Sequence, residues 1–235
     1  MAKRTCTEMR NIVARDAGDM STTGYARAVE ALNTAQETIA MAHKWKDLKR
    51  EGTLAFIVST RSYNISSISG ITEDIDEVYG LKYIITRDAV DINPIENEDE
   101  WWRVYDDNTT AGSGYPENFR VINNQIQLDI VPNSNFITNY SPVKVQARIL
   151  PTELNTSDNN STDFSKRFEQ LIMTMAKEIV LGNQEDFSAM QFFSLEAQRM
   201  FNNLKKRDIL SARNSTESRL KAGAGMQKHN KGRKY

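Results

Sequence analysis

The chain has 235 residues, 39% hydrophobic and 26% charged, with a formal net charge of −1. A chain of this length buries a sizeable core without disulfides or a structural metal, and its single cysteine, Cys6, excludes an internal disulfide. No run of about 18 apolar residues offers a transmembrane helix, and the basic start has no apolar stretch behind it, so neither membrane insertion nor a secretory signal is expected.

In chain order, Thr5-Cys-Thr-Glu8 fits a capping box and predicts a short helix to about Arg15, broken at Gly18. Residues 22–50 read as a long helix, with Ala28, Leu32, Ala35, Ile39, Ala42 and Trp45 at spacings of three or four. Residues 54–59, 65–68 and 82–86 are short, β-branched and aromatic, and read as strands. Pro94 followed by the acids Glu96, Glu98, Asp99 and Glu100 predicts a helix carrying Trp101, Trp102 and Tyr105. The stretch 119–131, with Asn123-Asn124 at its centre, predicts a β-hairpin, and alternation in 143–149 a neighbouring antiparallel strand. Asp163 is expected to cap a helix through Phe164, Phe168, Leu171, Ile172, Met175 and Ile179. A last helix from Gln184 to about Asp208 should pack antiparallel on it. Beyond Arg213 the apolar period stops, and Gly223 and Gly225 suggest a flexible, disordered end.

Charge is segregated along the chain. Lys205–Tyr235 holds ten Lys/Arg against Asp208 and Glu217, a net of +8, while residues 1–204 carry 20 Lys/Arg and 29 acids, a net of −9. An acidic body with a basic end is the pattern of an interaction arm.

The sequence offers little for catalysis. Its two histidines, His43 and His229, are far apart, and no Cys/His cluster has metal-ligand spacing. Asp158 and Glu169 stand twelve positions apart in the manner of a calcium loop, but Asp163 occupies the place of the required glycine, so a polar loop is the better reading. There is no nucleophile elbow, and Cys6 reads as an incidental thiol. The carboxylates at 74–77 and 96–100 read as solvated surface rather than acid/base machinery. A carboxylate-dependent hydrolase would show metal-dependent activity lost in a Glu98→Gln variant. No enzymatic activity, cofactor or metal is expected.

The order of elements resembles one family. Residues 25–48 with the strand-like 54–58 form one block. Tyr115–Val121, Ile126–Pro132, Val143–Ile149 and the helix pair from Asp163 form the other. Together they resemble the head-to-tail adaptor (connector) proteins of tailed bacteriophages, the ring proteins beneath the portal of short-tailed phages. The resemblance covers about two thirds of the chain and implies no catalytic residues. It implies a homo-oligomeric ring of twelve copies that docks to the portal protein through the C-terminal arm, receives tail (nozzle or tube) proteins on its opposite face and encloses double-stranded DNA without reading its sequence. The ring would be assembled in the bacterial cytoplasm and reside in the neck of the virion. By position and charge the arm residues are Arg213, Arg219, Lys221, Lys228, His229, Lys231, Arg233, Lys234 and Tyr235. The acidic segment with Trp101, Trp102 and Tyr105 has no place in the family pattern and is assigned to a tail or ring interface.

The expected architecture is α+β: an antiparallel helical-bundle core with an inserted antiparallel β-region and a flexible C-terminal arm. Residues 1–52 supply the first core helices, 53–151 the β-rich elaboration, 152–210 the second helix pair and 211–235 the arm. The alternative function is nucleic-acid binding by the basic tail.

Overall fold

The computed structural model describes residues 2–85, 88–108 and 113–228, and for 104–108 and 212–228 the backbone alone. The chain divides into two compact units, one formed by Met1–Asp47 with the chain from Glu153 onward, the other by Leu48–Thr152.

The first unit is helical. Helix α1 (Cys6–Asp16) opens on the expected capping box, in which the Thr5 amide donates to Glu8 Oε2 at 2.8 Å and the Glu8 amide to Thr5 Oγ1 at 3.4 Å. Helix α2 (Thr22–Ala42) is capped by Ser21 and buries Ala28, Ala31, Leu32, Ala35 and Ile39. It ends eight residues before the expected Arg50, because Lys49–Leu54 belong to a strand. Asp163 is not a helix cap; a 3₁₀ turn (Lys166–Phe168) leads into helix α5 (Glu169–Asn183). Helix α6 runs from Phe187 to Lys228. Trp45, Phe164 and Phe168 are fully buried in this unit. Two ion pairs tie the ends of α1 to α5: Lys177 Nζ to Asp16 Oδ2 at 2.6 Å, and Arg4 to the buried Glu169 at 3.4 Å. Burial pushes the Asp16 carboxyl up, but the hydrogen bonds from Lys177 and Arg15 outweigh it and leave its pKa below the ordinary value.

The second unit is built on a curled, mixed seven-stranded sheet in the order β1-β9-β3-β4-β6-β7-β2. Its strands are β1 (Lys49–Leu54), β2 (Ser62–Asn64), β3 (Ile75–Ile85), β4 (Asp88–Pro94), β6 (Asn118–Ile122), β7 (Gln125–Leu128) and β9 (Val143–Ile149). Short strands β5 (Ser113–Gly114) and β8 (Val131–Pro132) pair separately. Alternation in β9 puts Val143, Val145, Ala147 and Ile149 inside and Lys144, Gln146 and Arg148 at the other face. Asn123 and Asn124 both take positive φ, which makes the tight β6–β7 turn. Helix α3 (Glu98–Asn108) and helix α4 (Ser134–Tyr140) complete the unit, with Phe136 of α4 buried against Phe56 and Tyr83. Gly52 is required by close approach: a Cβ there would lie 2.7 Å from Ile68 Cγ2 and 2.8 Å from the Ser69 carbonyl.

These observations correct the expected architecture. The protein is α+β, but among the described residues a seven-stranded mixed sheet with six helices dominates it, rather than an antiparallel bundle with an inserted antiparallel β-region. The sheet is mixed because β4 and β6 run parallel through Asn93–Asn118 and Pro94–Phe119. Pro94, expected to start a helix, closes β4. It tolerates that place because the amides that bond β6 there are those of Asn93, to the Glu117 carbonyl, and Ile95, to the Phe119 carbonyl, both at 2.8 Å, and the β3 pairing has already ended at Ile92. The segment 65–67 is a 3₁₀ turn rather than a strand. The C-terminal residues as far as Lys228 are helical, where a flexible arm was expected. Extending an existing helix is far easier than nucleating one, so α6 outruns its apolar face.

Candidate interaction surfaces

Helix α3 presents the paired tryptophans. Asn97 caps it, its Oδ1 accepting from the Asp99 and Glu100 amides at 2.9 and 3.2 Å. Trp101 turns inward and is fully buried, while Trp102 is 44% exposed. Arg120 of β6 lies over both rings, its guanidinium carbon 4.8 Å from the Trp101 centroid and 5.2 Å from that of Trp102. Gln127 Oε1 accepts from Arg120 Nε at 2.9 Å and fixes the guanidinium plane. Of the three aromatics assigned to an interface, then, Trp101 belongs to the core and Trp102 offers a surface. The Tyr105 side chain lies outside the described residues.

At the end of the β6–β7 pair Asp129, 4% exposed, accepts from the Glu117 amide at 3.3 Å, the Asn118 amide at 3.0 Å and Asn118 Nδ2 at 3.0 Å. Burial raises the Asp129 pKa despite these donors. Arg61 donates to the backbone carbonyls of Leu128 and Asp129 and closes the same corner.

The base of the basic C-terminal segment is anchored in the helical unit. Asp208 of α6, 4% exposed, faces His43 Nε2 at 3.1 Å, with the Arg167 guanidinium 3.9 Å away. Arg167 also pairs with Asp47 at 3.2 Å, and Asp47 accepts from the Ser165 amide at 2.8 Å. Lys46 Nζ donates to Ser211 Oγ at 2.8 Å. Trp45 is buried between these partners. Its Nε1 donates to the Ile39 carbonyl at 2.6 Å, and its ring meets His43, Phe168 and Phe201 edge-on. Sequence reasoning considered His43 only as a ligand or base and missed this anchor. The one available signal was the pairing of a basic 43–46 segment with an isolated acid, Asp208, in an otherwise basic stretch.

Past Ser211, the backbone at Arg213, Arg219, Lys221 and Lys228 is helical, and Gly223 and Gly225 lie within the helix. His229, Lys231, Arg233, Lys234 and Tyr235 lie outside the described residues. Among the described residues no group of three or more His, Cys, Asp or Glu is placed to hold a metal, and no helix is long and apolar enough to cross a membrane. Glu169, the last position of the calcium-like spacing, is committed to Arg4, and Asp158 is bonded to Asn155. Cys6 is buried, and burial pushes its thiol pKa up. No protein-family model matches the chain, and a comparison with curated proteins likewise finds no match.

Proposed function

We propose that this protein is a ring-forming adaptor between the portal and the tail of a tailed bacteriophage, a structural component of the virion neck with no catalytic role. The observation that carries this reading is the segregated charge on an anchored element. The chain from Lys205 onward has a net charge of +8, and it begins where His43, Arg167 and Lys46 hold Asp208 and Ser211. A basic segment fixed at its root and free of the apolar period beyond it suits docking to a second protein, here the portal. Repetition around a ring multiplies a contact that is weak in one copy. The order of the two sequence blocks supports the same assignment. On this reading the exposed Trp102 contributes to a tail or ring contact, and the acidic body lets DNA pass without adhering.

The test is a binding measurement with purified portal protein, using the full chain and a chain ended at Arg213. Loss of portal binding in the shortened chain, with its circular dichroism otherwise that of a folded protein, is the expected result. Equal binding by both chains refutes the proposal. The same basic segment favours a second reading, nucleic-acid binding. It requires affinity for duplex DNA that falls steeply with salt and that disappears with the segment.

A further inference from the structure

We infer that the helical unit docks a second copy of this chain, with the outward stripe of α2 on one copy lying antiparallel along the outward stripe of α6 on the next. The inference rests on the ring reading above and gives it a contact surface.

Helix α6 packs inward through Ala197, Leu204 and Asp208, and α2 through Ala28, Ala31, Leu32, Ala35 and Ile39. At about 100° per residue, the side of α6 opposite its packed face carries Phe192, Leu195, Arg199, Lys206 and Leu210, all within about 45° of one line. The corresponding side of α2 carries Ala26, Glu30, Glu37 and Met41 within the same margin. All nine residues are exposed.

Exposed leucines taken singly are ordinary on a protein surface. These two stripes, however, match each other in charge and in spacing. Glu30 and Glu37 stand seven residues apart, as do Arg199 and Lys206, which is about 10.5 Å along each helix. None of the four takes part in an ion pair among the described residues. The opposing charges nearby, Arg27 on α2 and Glu196 on α6, lie roughly 60–80° round from the stripes, so the α2 line itself is acidic and the α6 line basic. Laid antiparallel, Glu37 meets Arg199, Glu30 meets Lys206, and Met41, four residues beyond Glu37, meets Leu195, four residues before Arg199. A parallel pairing would satisfy the same charges but set Leu195 and Phe192 against Ala26 and Thr23. The antiparallel pairing sets them against Met41, which is 75% exposed, and so removes the larger apolar side chains from water together. Because the two stripes are unlike, the contact is heterologous, and it closes into a ring or propagates into a filament.

The experiment uses the full chain carrying Met41→Cys and, separately, the full chain carrying Leu195→Cys. The two are mixed and treated with a short bis-maleimide, with the wild-type chain, whose Cys6 is buried, as the blank. The joint predicts a mixed cross-link in excess of either self-link. It also predicts more of that product than of the Met41→Cys with Leu210→Cys product, which a parallel pairing would favour. Adding Glu37→Lys to the M41C chain turns an attraction into a repulsion and should lower the mixed yield about two- to fivefold. Adding Arg199→Glu to the L195C chain as well should restore it, with circular dichroism showing both chains folded. Mixed and self-links in equal yield, a larger product with Leu210→Cys, a yield indifferent to Glu37→Lys, or no recovery with Arg199→Glu overturns the joint. Portal binding by the C-terminal segment is measured separately, so the joint and the adaptor reading fail independently.

Discussion

Replacing Trp45 by Ala tests how the base of α6 is held. The indole is fully buried. It donates to the Ile39 carbonyl at 2.6 Å and has ring centroids at 4.5, 4.9 and 5.6 Å from it, those of His43, Phe168 and Phe201. Truncating a buried tryptophan costs about 3–5 kcal/mol in lost transfer energy and cavity formation. The Ile39 carbonyl loses its side-chain donor, which adds about 1 kcal/mol. The edge-on ring pairs are worth about 0.5–1.5 kcal/mol each but overlap with the cavity term, so they favour the upper half of the range rather than adding to it. The expected loss is about 5 kcal/mol, against a total domain stability of about 5–15 kcal/mol. Trp45→Phe keeps a ring in the site and loses mainly the N–H bond, for about 1–2 kcal/mol. Urea unfolding followed by far-ultraviolet circular dichroism measures both. A Trp45→Ala cost under about 1 kcal/mol, or equal costs for the two variants, would show that the ring cluster does not hold this corner.

Asp16→Asn removes the carboxylate that pairs with Lys177. The Asp16 pKa is lowered in the folded protein, burial being outweighed by the Lys177 and Arg15 bonds, so its contribution is present above the ordinary value of 3.8 and is lost as pH falls through the folded value. The variant should therefore be less stable than wild type near neutrality, by about 1.5–3 kcal/mol for a hydrogen bond to a charged group, and the gap should close in acid; a gap constant with pH contradicts the assignment. Gly52→Ala places a methyl group against Ile68 and the Ser69 carbonyl, which are too close to accept it without a backbone shift. It should cost about 1–3 kcal/mol in thermal or urea unfolding, and a neutral result would mean that the β1 edge yields freely.

The longer helices and the alternating strands at 119–131 and 143–149 were legible because their periods are local, whereas helix α4 (Ser134–Tyr140) and strand β4 (Asp88–Pro94) carry no such period and were not read. Thr5 and Glu8 announced α1, the apolar spacing announced α2, and 143–149 alternated visibly. The mixed sheet was not legible, because the parallel β4–β6 junction joins Asn93 to Asn118 across an intervening helix and leaves no period in either segment. Pro94 misled for a physical reason: a proline before a run of acids is a good helix start, yet the cap that forms is Asn97, three residues later. The end of α2 was misplaced because Lys46, Lys49 and Arg50 suit a helix terminus as well as they suit an exposed strand, and only the partner, β9, decides between them. At the candidate surfaces, sequence reasoning found the tryptophan pair but could not say which ring faces inward. Arg120, which lies over both rings, stands 18 residues beyond Trp102 on another element.

The helical C-terminal segment changes how docking should work. Gly223 and Gly225 lie inside α6, and each costs about 0.8–1 kcal/mol relative to alanine in a helix interior. A stretch this far from its packed face, with two such residues, is helical by a narrow margin. Replacing both by alanine favours the helix by about 2 kcal/mol, close to 25-fold in the helix–coil equilibrium. If the proposed portal partner receives the segment as a helix, the double variant should bind no more than about twofold more tightly, because a segment already mostly helical has little competent population left to gain, with circular dichroism recording the gain in helix. If the portal receives it extended, the same variant must first unfold a more stable helix and binds more weakly. Weaker binding by Gly223→Ala/Gly225→Ala, with its helicity raised, would return the segment to an extended mode of docking and remove the helix from the argument.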